Sequence, residues 1–177
     1  MSLSPVEVES LALHVAHMRG HVVIAGLGMG LALYNAVLHP AVRQITVSEC
    51  DSEVVALFAR ITGPGWPESG RFSIERVDAR DWRSPEPVDF LYVDIRDKVG
   101  ASEAAADTRT ICRNLRPKSA GYWGMEADFV LFLARKLLQA AGDASTVSGL
   151  GACASVCLSQ PTTVALGSRA SRMSQPS

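Results

Sequence analysis

Three carboxylates and three glycines stand where a chain can do chemistry. Gly26, Gly28 and Gly30 alternate in "IAGLGMG", directly after an apolar run from His21 to Ala25. Glu49 ends "RQITVSE", Asp78 follows "RFSIERV" beside Ala79, and Asp94 ends "DFLYVD". A glycine turn between strand and helix lets backbone approach a ligand closely, and the helix behind it offers free N–H groups. An acid about 20 residues beyond such a turn can accept both hydroxyls of a ribose. An acid after the third strand can accept from the exocyclic amine of an adenine, and one after the fourth can face an ammonium group. Three readings of the turn stand at this point: a nicotinamide dinucleotide, a nucleoside, or a turn that only packs helix against strand. The dinucleotide fingerprint G-x-G-x-x-G asks for glycine at position 31, which is Leu31. For Asp78 the plain alternative is a turn or helix cap, a common place for Asp.

Alternating elements must position these groups. "SPVE" (4–7) opens a helix: Ser4 caps, Pro5 suits the first helical position, and Glu7 completes a capping box. That helix is expected to run to about Met18 and stop at Gly20, with Val8, Leu11, Val15 and Met18 at helical spacing. A strand 21–25, the glycine turn and a helix to about Leu38 follow. "RQITVSE" is a second strand, and "DSEVVALFARI" is a helix capped by Asp51 or Ser52. "TGPGWPESG" reads as a loop. "RFSIERV" and "DFLYVD" are strands three and four, "SEAAADTRTICRNL" is a helix, and "AGYWGM" is a fifth strand. "EADFVLFLARKLLQAAG" is a long helix whose Leu131, Phe132, Ala134 and Leu138 form a wide apolar stripe.

Strand alternating with helix implies an α/β fold: a doubly wound, mostly parallel sheet flanked by helices. Ligands in such sheets bind at the carboxyl ends of strands, where the winding reverses. Glycine turn, Glu49, Asp78 and Asp94 all lie at such ends. A single domain is expected over 1–177: an N-terminal helix (1–20), a core (21–142) and a tail (143–177). The tail is rich in Ala, Ser, Thr and Gly and reads either as a closing hairpin around Gln160–Pro161 or as a short helix with a loose end.

Composition narrows the partners. Net charge is −1, so the footprint of a general nucleic-acid binder is missing. No apolar run approaches the roughly 20 residues of a membrane span, and "MSLSPVEVES" does not read as a signal peptide. Cys50, Cys112, Cys153 and Cys157 suggest no disulfide framework, which favours a reduced, cytoplasmic setting. A homo-oligomer is compatible with all of this.

The run from His21 to about Met125 resembles the S-adenosylmethionine-binding domain of class I methyltransferases, nearest the spermidine-synthase-like branch. "IAGLGMG" is similar to the family's first motif, "VSECD" to its ribose-binding acid, "VDARDW" to its adenine-binding acid and "LYVDIRD" to its fourth-strand motif. The resemblance implies a Rossmann-like sheet of the methyltransferase type and S-adenosyl-L-methionine as cofactor. It implies that Gly26, Gly28 and Gly30 line the methionine part, Glu49 binds ribose and Cys50 lies against adenine. Aminopropyl transfer in that branch uses a D-x-x-D pair followed by Pro. Asp94 and Asp97 match the pair, Lys98 replaces the Pro, and a single helix precedes the first strand where those enzymes carry a β-domain. Asp94 is the candidate catalytic residue, and the acceptor is unidentified.

Other constellations carry less. His14, His17 and His21 (i, i+3, i+7) could suggest zinc, but His21 falls beyond Gly20 and no further ligand is near, so no metal is expected. Partly exposed helix histidines are the plainer reading. Cys153 and Cys157 read as small buried residues. Trp66, Trp82 and Trp123 could touch a flat substrate or pack the core.

Overall fold

The computed structural model describes residues 5–67, 69–96 and 103–141. Ser4, Asp97, Lys98 and the tail lie outside them, and so do the readings that rest on them: the Ser4 cap, the Asp94–Asp97 pair and the closing hairpin. Along the described chain come α1 (Pro5–Val15), β1 (Gly20–Ala25), α2 (Leu31–Leu38), β2 (Val42–Ser48), α3 (Ser52–Leu57), β3 (Phe72–Glu75), β4 (Phe90–Val93), α4 (Ala104–Leu115), β5 (Ser119–Tyr122) and α5 (Met125–Ala141).

All pairings are parallel, in the order β3-β2-β1-β4-β5. The chain builds outward from β1 through β2 to β3, then returns to lay β4 on the other side of β1. This is the doubly wound Rossmann-like sheet expected from the alternation, with its reversal between β1 and β4.

Residue alternation divides the core. Val22 and Ile24 of β1, Ile45 and Val47 of β2, and Tyr92 of β4 pack with Leu11, Met18, Leu33, Val37 and Phe58. Val23, Ala25, Leu91 and Val93 point the other way, onto Ile111 and Leu115 of α4. Period-two alternation sends successive side chains to opposite faces, and both faces here are covered. That is why β1 and β4 read as continuous apolar runs.

Several boundaries differ from the sequence reading. α1 ends at Val15, and its last turn tightens as Met18 N donates to Val15 O (3.0 Å). α3 is short and continues as a π-helix, Phe58–Thr62, into two 3-10 turns within the expected loop. Phe58 and Trp66 pack edge to face at 4.9 Å, with Tyr34 and Phe72 beside them, so Trp66 serves packing. The Arg71 guanidinium reaches back from the start of β3 and donates to Val37 O (2.8 Å) and Val42 O, clamping the α2–β2 connection.

One expectation is corrected. His14 and His21 are buried rather than partly exposed, and only His17 is exposed. His21 is held by Pro87 O and by Thr46 Oγ1, both at 3.0 Å, a satisfied core histidine. On α5, Leu131 of the apolar stripe is exposed and Phe132 half-buried, and Phe129, Val130 and Leu133 are exposed beside them. Among the described residues no helix is long and apolar enough to cross a membrane, and no group of three or more metal-ligating side chains forms.

Gly26 shows how tightly the strands meet at the reversal. Its φ is +95°, and a Cβ there would lie 2.1 Å from the Asp94 carbonyl oxygen. Nothing lies within 4 Å of a Cβ at Gly65. Gly26→Ala is expected to cost about 2–5 kcal/mol, from left-handed strain plus a backbone clash. Gly65→Ala should stay within about 0.5 kcal/mol. Urea unfolding of the two variants side by side checks the contrast.

Candidate functional site

A cleft of about 960 Å³ opens at the carboxyl ends of the strands. It lies where the winding reverses, the place that fold logic assigns to a ligand. Of the singled-out residues, Gly26, Gly28, Glu49, Cys50, Asp78, Ala79 and Asp94 all line it. Gly30 does not. It is the left-handed residue before α2 (φ +82°), and a Cβ on it would meet the Trp66 ring at 2.8 Å. Its missing side chain makes room for Trp66.

Backbone hydrogen bonds fix the rim. Gly26 N donates to Ser48 O (2.8 Å) and Asp94 N donates to Ala25 O (2.7 Å), so the turn is tied to both neighbouring strands. Gly28 follows at φ +51°, a conformation glycine adopts at little cost.

Glu49 joins two loops. Its Oε2 accepts from Leu27 N in the glycine turn (2.9 Å), and its Oε1 accepts from Asp51 N at the start of α3 (2.8 Å). An ionised carboxylate has about four acceptor sites. The two backbone donors and the neighbouring Cys50 thiol leave some of that capacity unused. Asp51 in turn caps α3, accepting from Glu53 N at 2.8 Å.

Asp78 is more fully engaged. Its Oδ1 accepts from Arg80 N and Arg80 Nε, both at 2.9 Å, and its Oδ2 from the guanidinium. The Arg80 side chain holds the Asp78 carboxyl below the usual carboxylate range. This is the turn-capping arrangement, with a side-chain ion pair added. Ala79 is buried at the cleft wall. Cys50 is exposed, and partial burial beside Glu49 and Asp78 pushes its thiol pKa up. It is a poor nucleophile and a suitable contact surface.

Asp94 is the most perturbed acid. Burial, then the negative charge of Glu7, pushes its carboxyl up to about 6. Glu7 and Ser10 of α1, Tyr92 of β4, and Trp123 and Glu126 around the start of α5 complete this end of the cleft. Sequence reasoning missed Glu7, Ser10 and Glu126. A signal existed: Glu7, Ser10 and His14 stand at helical spacing on the same side of α1 as buried Leu11. Polar groups on a buried stripe need a reason.

In sequence, neither a family model nor a curated protein matches the chain. Several solved structures match in fold. One is an S-adenosylmethionine-dependent methyltransferase from Mesorhizobium loti (20% identity, TM-score 0.46, 63% of this chain and 50% of that one). Another is the DhpI–SAM–HEP complex (17% identity, TM-score 0.43, 63% and 46%). A third is the 23S rRNA methyltransferase ErmE (14% identity, TM-score 0.49, 69% and 46%). The chain spans about half the length of these proteins. At such identities and scores the functional reading rests on the cleft itself.

The raised Asp94 pKa has a consequence for stability. In the unfolded chain its value is near 3.8. Between there and about 6 the folded state holds more protons than the unfolded one, so stability falls as pH rises through this window. Above it the charged carboxylate remains a net cost. Asp94→Asn is expected to flatten this part of the stability–pH curve and to stabilise the protein at neutral pH, by on the order of 2 kcal/mol. Thermal unfolding followed from pH 4 to 8 measures both.

Proposed function

We propose that the chain is an S-adenosyl-L-methionine-dependent methyltransferase acting on an unidentified acceptor. The observation that carries this is the gathering of the glycine turn, Glu49, Asp78, Ala79 and Asp94 around one cleft at the topological reversal. About 960 Å³ has room for a nucleoside, its amino-acid tail and a small acceptor.

The residues fit the cofactor's parts. Gly26 and Gly28 let backbone approach the methionine portion. Glu49 accepts from the ribose hydroxyls with its remaining lone pairs. Cys50 and Ala79 flank the adenine, and Asp78 takes its amine when Arg80 yields one oxygen. Asp94 accepts from the ammonium group of the amino-acid tail. When bound, the cofactor supplies a sulfonium methyl group, an electrophile that needs no strong acid for its transfer. The protein's share is then alignment and exclusion of water. Transfer to an acceptor's lone pair would release a neutral thioether, and the cleft residues would hold the two reactants in line. An acceptor proton is lost to a nearby base or to water.

Two other readings use the same cleft. Aminopropyl transfer would cast Asp94 as the base that deprotonates an amine, and the raised pKa of Asp94 favours that role. A non-catalytic nucleoside-binding protein would keep the cleft without turnover. Small molecules as partners and a cytoplasmic setting accord with each.

Titration calorimetry with S-adenosylhomocysteine is expected to give micromolar affinity, and Glu49→Ala at least about tenfold less. Folded Glu49→Ala protein with unchanged affinity removes the ribose assignment, and tighter binding of NAD restores the dinucleotide reading. Asp94→Asn separates the remaining roles. Weakened cofactor binding supports the ligand role. Normal binding with aminopropyl turnover reduced about 10²–10⁴-fold supports the base.

A further inference from the structure

Among the described residues, the end of the cleft between α1 and α5 holds polar atoms without partners. Ser10 lines the cleft, is 5% exposed, and its Oγ has no hydrogen-bond partner. Glu126 also lines the cleft, and its Oε2 is buried and unpartnered. Behind them His14 Nε2 is buried, unpartnered, and 4.0 Å from Glu126 Oε2. Buried polar atoms in a folded protein are rarely left unsatisfied.

The chemistry of the missing group follows from these atoms. Burial lowers the His14 pKa, against the opposing charge of Glu126, so the ring is neutral at neutral pH. Its other nitrogen bonds the Tyr122 backbone, which leaves Nε2 presenting a lone pair. Nε2 and the Glu126 carboxylate oxygen are therefore two acceptors facing each other. Their separation is too long for a hydrogen bond, yet one donor nitrogen could reach both at ordinary distances. The charge points the same way. Glu7, Asp94 and Glu126 stand on this wall, and the cations lining the cleft among the described residues, Arg80 and Arg96, are held by Asp78 and Asp107. An anionic or acceptor-only ligand would meet repulsion here. A group with several N–H donors and a positive charge would suit these acceptors.

We propose that Ser10, Tyr92 and Glu126, with His14 behind them, form the acceptor subsite of the transferase proposed above, and that it recognises an aliphatic amine as its ammonium ion, which gives up one proton to water before the freed lone pair accepts the transferred group. The description as an acceptor subsite rests on that transferase reading. Recognition of the ammonium group rests on the wall alone.

Calorimetric titration of the full chain with n-butylamine, n-butanol and butyrate tests this at neutral pH, with and without saturating S-adenosylhomocysteine. Butylamine should bind at least about tenfold more tightly than the alcohol, and butyrate should not bind. Glu126→Gln should cost at least about tenfold in butylamine affinity, and Ser10→Ala about threefold, each with S-adenosylhomocysteine affinity unchanged. Should Glu126→Gln lose its circular dichroism spectrum, Ser10→Ala carries the comparison. Equal binding of alcohol and amine, or amine binding indifferent to both substitutions, overturns the proposal, and the orphaned atoms are then served by water. Glu126-dependent amine binding without any S-adenosylhomocysteine binding would keep the ammonium site and overturn the transferase reading instead.

Discussion

The Glu49 carboxylate is the interaction on which the site depends. One oxygen holds Leu27 N in the glycine turn and the other holds Asp51 N at the head of α3. Two loops that leave adjacent strands are thereby set at a fixed distance by one charged group. Hydrogen bonds to an ionised acceptor are stronger than neutral ones. The turn consequently has its shape before any ligand arrives, and a ligand need not supply the cost of ordering it. The same residue lines the cleft, so a single side chain both ties the rim together and forms part of the cleft wall.

Beyond the rim the cleft has two different ends. At the Asp78 end, charges are matched: Arg80 closes on Asp78, and Arg96 closes on Asp107. At the Asp94 end they are not. Burial and the Glu7 carboxylate load that acid with unfavourable energy, and nearby polar atoms lack partners among the described residues. Perturbed titratable groups in a cleft mark a functional region more often than a structural one. The cleft is thus settled on the Asp78 side and unsatisfied on the other.

Much of this was legible in the sequence. Runs ending in Gly, Glu or Asp gave the strands β1, β2 and β4 and put Gly26, Glu49 and Asp94 at their carboxyl ends. That worked for β1 and β4 because strands buried on both faces are apolar almost throughout, so the polar residue after the run marks the exit. β2 carries Arg43, Gln44, Thr46 and Ser48 within it and was legible from its β-branched residues instead. What was not legible required knowing which residues become neighbours. Gly30 reads like Gly26 and Gly28 in a string of alternating glycines, but only the fold brings Trp66 against it. Glu126 and His14 are far apart in the chain, so no spacing rule joins them. The stripe of α5 was a fair reading of helical periodicity, yet periodicity reports that a face is apolar and not what covers it.

Arg71 links parts of the molecule that would otherwise open separately. α2 has no basic residue in its last turn, and the guanidinium that meets its terminal carbonyl belongs to the segment entering β3. The positive group a helix C-terminus favours is thus supplied from the sheet's edge. Fraying of β3, an outermost strand, would also strip α2 of its terminal partner, and loosening of α2 would release the strand. Edge strand and helix end therefore form one cooperative unit. Since α2 starts at the glycine turn, fluctuations at the far edge of the sheet have a physical route to the cleft's rim.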